Sequence, residues 1–450
     1  MGARDRGLGR RVAALLLGAA SGIGVAGPAD TAVAQERPPP GLPRPLSSRV
    51  KELVAKWFAA LPDERAAIVA QLGAADWIST KEAKSWAAPL IERARAGPRL
   101  EASGTHAFEF SATIDGAERR LSGKYLIDSD PDPRQCVICL HGGGEGSGAA
   151  EDAREAFHDD LAALERTVVI YPEVLRKTEC GWTEPETEQF VFALIAAARR
   201  TWPLDGDRRF LTGFSMGGFG TWMLGARQPD LFAAGATYAG GITPLIDGRD
   251  RTTVLSITPR VLPNLFHLPL FIYQSGDDPN VPPGANDFAV RQLGELRAAA
   301  VAAGWPAAYT HHYDRVEGRG HGNPANGLEQ GLDWALARTR DPRPRRIVWE
   351  PVRPWQRWMY WTRCDGAPTT GRLEAEVTAK NEITLTGPWP EGATSLFLDE
   401  RLCDLGKPIT VWLGGRVRFE GKVGLRLSTL MQCAAERIDP ACLFPARIDL

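Results

Sequence analysis

The sequence predicts an α/β protein: a mostly parallel sheet flanked by helices, with an N-terminal helical segment before it and a small C-terminal antiparallel β module after it. Three observations carry this prediction. From about 104 to 340, compact apolar runs such as Gln135–Leu140 and 167–171 alternate with helix-length stretches, the pattern of buried parallel strands joined by crossover helices. Between 47 and 100 the apolar residues recur at helical spacing instead, as in Val50, Leu53, Val54 and Trp57. Beyond the proline- and arginine-rich stretch 341–346 the period falls to two. Leu373, Ala375 and Val377 alternate with polar residues, as do Ile383 and Leu385.

Taken in order, residues 1–34 read as an export signal. Arg4, Arg6, Arg10 and Arg11 form a positive head, an apolar run starts at Val12, and Ala32-Val33-Ala34 offers a small-residue cleavage pattern with cutting before Gln35. The run is too short and too rich in glycine to span a bilayer. The expected location is therefore periplasmic or extracellular, and Arg10-Arg11 leaves a twin-arginine route open beside the general one. Prolines 38–40, Pro43 and Pro45 make 35–46 a linker. The helical segment 47–100 closes at Gly97-Pro98, and nothing in it resembles catalytic machinery.

The central segment, 104–340, opens with strands at 105–110 and 124–127 and continues with those at Gln135–Leu140 and 167–171. A helix over 186–202, a strand at Arg209–Phe214 and a helix at Met216–Arg227 follow. Strands at 232–238 and 268–274, a helix at 284–303, a strand at 309–313 and a helix at 326–337 complete it. The C-terminal module spans 345–450. There Val411 and Leu413 lead through Gly414-Gly415 to Val417 and Phe419, a hairpin signature. Its tryptophans, 349, 355, 358, 361, 389 and 412, fit core and interdomain packing better than a sugar-stacking platform.

A net charge of −2 over 450 residues offers no basic field for nucleic acid, so partners must be read from sites. Seven cysteines are an odd number, leaving at least one free or intermolecular. Cys136 and Cys139 have C-x-x-C spacing, but residues i and i+3 of a strand face opposite sides of a sheet, so both read as buried core thiols. Cys403, Cys433 and Cys442 are the disulfide candidates in an oxidising compartment, with Cys433 and Cys442 closing a short loop. No His/Cys/Asp cluster has metal-ligand spacing, and the glycines at 142–144 lack the Lys-Ser/Thr ending of a phosphate loop. No cofactor is expected.

Chemistry concentrates in the stretch RFLTGFSMGGFGT at 209–221, where Gly213-Phe214-Ser215-Met216-Gly217 places a serine between a strand and a helix, as a nucleophile elbow requires. A serine hydroxyl needs a base to take its proton and a carboxylate to hold that base's tautomer. Asp278 lies just past an apolar strand in Ser275-Gly276-Asp277-Asp278-Pro279-Asn280-Val281-Pro282, and its spacing to Val281-Pro282 favours it over Asp277. His321 sits in the glycine-rich loop Gly320-His321-Gly322, whereas His311 and His312 fall in a strand. His141-Gly142-Gly143-Gly144 follows an earlier strand, and the backbone N–H groups of Gly142 and Gly143, with that of Met216, suit an oxyanion hole. His141 reads as a shaper of that loop. Glu145 either contacts substrate or fixes the loop.

The motifs CLHGGGEGSG, GFSMGGFGTW, SGDDPNVP and GHG, in this order over 104–340, resemble those of the α/β-hydrolases, in the secreted esterase and prolyl-oligopeptidase-like group. The resemblance implies Ser215 as nucleophile, Asp278 as acid and His321 as base. It also implies an oxyanion hole at Gly142, Gly143 and Met216. The expected activity is hydrolysis of carboxylic esters, on a small-molecule or polysaccharide-linked substrate, through an acyl-enzyme. Peptide hydrolysis is the closest alternative. A non-catalytic, carbohydrate-binding protein with a vestigial triad is the alternative of a different class. The long, proline-punctuated region 240–267 is the candidate cover of the site.

Overall fold

The structure, a computed structural model, describes residues 47–246, 253–366 and 370–450. The expected export signal and proline linker lie outside the described residues. Three helices come first: α1 (Ser48–Ala59), α2 (Arg65–Leu72) and α3 (Thr80–Ala94). The last opens on a capping box, with Ser79 Oγ accepting from the Glu82 N–H and the Glu82 carboxylate accepting from the Ser79 N–H.

An eight-stranded sheet follows. Its strands are β1 (Gly104–Ile114), β2 (Ala117–Ser129), β3 (Gln135–Leu140), β4 (Thr167–Pro172), β5 (Arg209–Phe214) and β6 (Ala234–Tyr238). After a small hairpin of β7 (Pro244–Ile246) and β8 (Val254–Ile257) come β9 (Leu270–Ser275) and β10 (His311–Val316). The order across the sheet is β1-β2-β4-β3-β5-β6-β9-β10. Only the β1–β2 and β2–β4 pairings are antiparallel; the rest are parallel. The central strands are buried on both faces, as their unbroken apolar runs demand.

Helices α5 (Pro185–Thr201), α6 (Met216–Arg227) and α7 (Gly284–Ala302) cover one face, while α4 (Ala150–Leu161) and α8 (Glu329–Leu336) cover the other. Alternation along β3 assigns the faces. Cys136, Ile138 and Leu140 join the core under α5 and α6, and Val137 and Cys139 join that under α4 and α8. The two C-x-x-C thiols thus lie on opposite sides of the sheet. Helix α4 escapes the sequence reading because two of its four buried positions, Ala150 and Ala153, are alanines and give little periodic signal.

The C-terminal module holds two sheets. One is formed by β11 (Arg346–Trp349), β14 (Leu373–Val377), β15 (Glu382–Thr386), β17 (Ile409–Leu413) and β18 (Arg416–Gly421). The other is formed by β12 (Trp358–Met359), β13 (Thr362–Cys364), β16 (Thr394–Leu398) and β19 (Ala446–Asp449). Every pairing is antiparallel except β15 against β17. The β17–β18 turn puts Gly414 and Gly415 at φ 59° and 77°, the paired left-handed geometry that a tight two-residue hairpin asks of glycine. A helix absent from the sequence reading, α9 (Leu427–Arg437), packs against the module.

The N-terminal helices share their core with this module, not with the large sheet. Val54, Trp57, Trp86 and Leu90 belong to the same apolar cluster as Trp349, Trp361, Leu430 and Met431. Asp76 accepts from the Ser428 N–H at 2.7 Å and its hydroxyl at 2.9 Å, and the Arg426 guanidinium lies 3.6 Å above the Trp77 ring. Trp349, Trp358, Trp361 and Trp389 are buried, and Trp355 and Trp412 half-buried, which suits packing. The combined unit joins the large sheet through buried ion pairs: Asp439 with Arg209 and Arg340, each at 3.0 Å, and Asp230 with Arg437 at 2.6 Å. All seven cysteines are unpaired in the structure, including Cys403, Cys433 and Cys442.

Candidate active site

The site is built at the strand ends on one edge of the sheet. Ser215 terminates β5 and opens α6 with φ 56° and ψ −120°, a strained backbone for a residue with a side chain. Two features hold it there. The Ser215 N–H donates to the Tyr238 carbonyl at 2.8 Å. The crossing beneath it is so close that a Cβ at Gly217 would collide with the Leu140 carbonyl oxygen. A Cβ at Gly213 would likewise collide with the Gly217 carbonyl oxygen, so the turn requires glycine at both 213 and 217.

His321 reaches this serine from the loop after β10, with Nε2 2.9 Å from Ser215 Oγ. Its Nδ1 is 2.8 Å from Asp278 Oδ2, in the loop after β9. The Phe214 ring, 5.3 Å from the imidazole, supports it from the strand side. Asp278 is fully buried at its side chain, and its second oxygen, Oδ1, accepts the N–H groups of Asn280 at 2.8 Å and Val281 at 2.9 Å. The structure thus brings Ser215, His321 and Asp278 into one hydrogen-bonded chain. His311 and His312 stay apart from it: His311 bonds the Tyr309 carbonyl, and His312 stacks on Phe271.

Asp277 faces elsewhere, and its role is one that sequence reading missed. Its Oδ1 accepts from Ser275 Oγ at 2.5 Å and from the N–H groups of Gly318, Arg319 and Gly320 at 3.1, 3.2 and 3.1 Å. The Ser275 hydroxyl, followed by the Gly320 N–H, holds its carboxyl below the ordinary carboxylate range. Asp277 thereby ties down the loop that carries His321. Two buried amides were likewise unforeseen. Asn286 donates to Gln274 Oε1 at 2.7 Å and to the Gly240 carbonyl at 3.2 Å, and Gln274 donates to the Val281 carbonyl at 2.9 Å. Their one signal in the sequence is polarity at positions a strand and a helix should give to apolar residues.

The 142–144 loop lies beside Ser215. A Cβ on Gly142 would stand 3.4 Å from Ser215 Cβ, and Gly143, at φ 127°, lines the same cleft as Ser215 and Met216. The Met216 N–H belongs to the first turn of α6, where helix N–H groups lack intrahelical partners. His141 anchors the loop from below. It is fully buried, donates from Nδ1 to the Gly142 carbonyl at 2.6 Å and accepts the Val174 N–H on Nε2 at 3.2 Å. Burial pushes its pKa down, which matches a neutral ring using one nitrogen as donor and the other as acceptor. Glu145 is exposed, and its N–H donates to Glu179 Oε1 at 3.3 Å.

A cleft of about 480 Å³ opens over Ser215 and His321. Its walls are Gly143, Glu179, Cys180, Phe219, residues 240–243, residues 280–282 and Ala285. Of the candidate cover, 240–243 forms one wall; 247–252 lies outside the described residues. Among the described residues, no group of three or more His, Cys, Asp or Glu is arranged to hold a metal ion, and no helix is long and apolar enough to cross a membrane.

No protein-family model and no curated protein matches the chain. Solved structures do. A thermostable esterase is 17% identical, with a TM-score of 0.38 over 52% of this chain, which spans 63% of that protein's length. A ferulic acid esterase of the anaerobic fungus Anaeromyces mucronatus is 16% identical, with a TM-score of 0.34 over 53% of this chain and 91% of its own. An acylaminoacyl peptidase of Pyrococcus horikoshii is 18% identical, with a TM-score of 0.36 over 52% of this chain and 40% of its own. On its own topology, with the elbow following a central parallel strand and the remaining loops gathered at the same edge, the large sheet has the α/β-hydrolase fold.

Proposed function

We propose that the protein is a serine hydrolase that cleaves carboxylic esters. The reading rests on one observation above all, the unbroken chain from Ser215 Oγ through His321 to Asp278 in an open cleft. Ser215 attacks the acyl carbonyl while His321 Nε2 takes its proton, and Asp278 steadies the imidazolium that forms. The oxyanion is received by the N–H groups of Met216 and of the Gly142–Gly143 turn, each donor contributing about 10²–10³ in rate. The imidazolium returns its proton to the departing alcohol. Water, deprotonated by His321, then releases the acid and restores Ser215.

Ser215→Ala should lower kcat on para-nitrophenyl esters by roughly 10⁶ and abolish labelling by a fluorophosphonate probe. Near-normal turnover by that variant would end the proposal. Short chromogenic peptides run in parallel separate ester from amide hydrolysis. We read the protein as exported, on the arginine head and the Ala32-Val33-Ala34 pattern; N-terminal sequencing of the secreted form at Gln35 is the check.

A further inference from the structure

We infer that Glu179 makes the cleft selective for substrates bearing a positive charge near the scissile ester; the inference rests on the reading of Ser215 as nucleophile. Among the described lining residues, Glu179 is the one side chain of fixed charge; the remainder are glycines, apolar or neutral polar groups, the Cys180 thiol and His321. Its carboxylate lies against the 142–144 loop, accepting the Glu145 N–H on Oε1, an atom only 3.0 Å from where a Cβ of Gly144 would stand. The basic residues nearest in sequence are committed elsewhere: Lys177 to Glu173 at 3.4 Å, and Arg176 to Glu184 at 2.6 Å and Glu186 at 3.4 Å.

A negative charge beside the loop that receives a developing oxyanion opposes the intermediate, because like charges repel; Glu179 is exposed, so solvent screening holds the effect to a few-fold in rate. A cationic group on the substrate, seated against Glu179, turns that repulsion into attraction, while an anionic group adds to it. The selectivity is thus a difference between substrates produced partly by exclusion. A purely structural Glu179, present to hold the Glu145 N–H, predicts no such ranking. Glu179→Gln separates the two roles, since the amide keeps an acceptor oxygen of the same reach and removes the charge.

The test is a charge series on the intact protein and on Glu179→Gln. Para-nitrophenyl esters of a trimethylammonio-butanoate, of its neutral tert-butyl isostere and of a half-glutarate vary the acyl side. Acetylthiocholine and its neutral tert-butyl isostere vary the leaving-group side. On at least one side the cation-to-neutral ratio of kcat/KM should fall about fivefold in Glu179→Gln, with the neutral ester holding or gaining as the repulsion on the oxyanion is lifted, and the half-glutarate improved. Unchanged ratios on both sides, or a neutral ester that loses as much as the cationic one, overturn the inference. Failure of wild type to react with both a fluorophosphonate probe and the neutral esters overturns the Ser215 reading instead, and is told apart by that probe.

Discussion

Asp278→Asn probes the proposed triad through one proton. In the native structure Oδ1 of Asp278 is fixed by two backbone donors, the N–H groups of Asn280 and Val281, which leaves Oδ2 to take the proton on His321 Nδ1. An asparagine in this pocket has one oxygen to place. Set toward His321, it would turn its NH₂ onto two backbone donors and strand both, at about 1–3 kcal/mol each. The oxygen therefore stays with Asn280 and Val281, and the NH₂ points at Nδ1. His321 must then accept on Nδ1 and carry its proton on Nε2, the nitrogen facing Ser215 Oγ at 2.9 Å. A protonated Nε2 cannot act as base, so kcat should fall about 10⁴-fold, or roughly 5.5 kcal/mol in the barrier, with the fold intact. Asp277→Asn is the control, because its amide oxygen still serves the donors of Ser275 and 318–320, and its loss should stay within about tenfold. Steady-state kinetics on a para-nitrophenyl ester, with circular dichroism to check folding, decides the matter. Asp278→Asn within about tenfold of wild type, or Asp277→Asn as damaged as Asp278→Asn, would refute the tautomer argument.

Three further outcomes follow from the packing. Burial depresses the His141 pKa below its ordinary 6.5, so below that pH the unfolded chain binds a proton that the folded chain refuses. Stability is then complete above about pH 6.5 and falls on acidification by at most about 1.4 kcal/mol per pH unit, a slope that urea unfolding should find reduced in His141→Asn. Cys180 is the one exposed thiol of the seven and lines the cleft, so a bulky maleimide should label the folded protein once and cut ester hydrolysis more than about tenfold, with Cys180→Ser active and resistant. Asp439→Ala removes the carboxylate shared by buried Arg209 and Arg340 and should cost about 3–5 kcal/mol in denaturant unfolding.

What the sequence disclosed depended on whether the constraint was local. The strand bounds at β3 and β5 and the helix at α6 were legible because apolar runs, glycines and the serine lie within a few residues of one another. The choice of Asp278 over Asp277 was legible only as spacing; the physical reason, two backbone donors fixing one oxygen while the other faces His321, needs the loop in three dimensions. Asp277 illustrates the converse. Its three backbone partners lie at 318–320, a loop brought near by the parallel pairing of β9 with β10, and no local pattern records that meeting. The same holds for α1–α3, whose apolar stripe announces a helical face but not its partner, the C-terminal module hundreds of residues away.

That partnership bears on what the C-terminal unit does. Arg209 begins β5 and Ser215 follows its end, so the Asp439 cluster and the elbow stand at opposite edges of the sheet, about 20 Å apart along a six-residue strand. Asp230, which meets Arg437, likewise precedes β6. These ion pairs lie at strand starts, while Ser215, Asp278 and His321 lie at strand ends. A further one, Arg353 with buried Glu188 at 2.9 Å, reaches the first turn of α5, and Arg353 also donates to the Thr183 carbonyl there at 2.7 Å. Trp349, Trp358, Trp361 and Trp389 are buried in the module's packing, and no residue beyond His321 lines the described cleft. Among the described residues, the cleft's own walls, Glu179, Cys180, 240–243, 280–282 and Ala285, are then where the proposed reaction would select its substrate. The module thus braces the sheet at its strand starts and, through Arg353, also holds the segment that follows the Glu179–Cys180 wall, so its packing bears on the cleft without lining it.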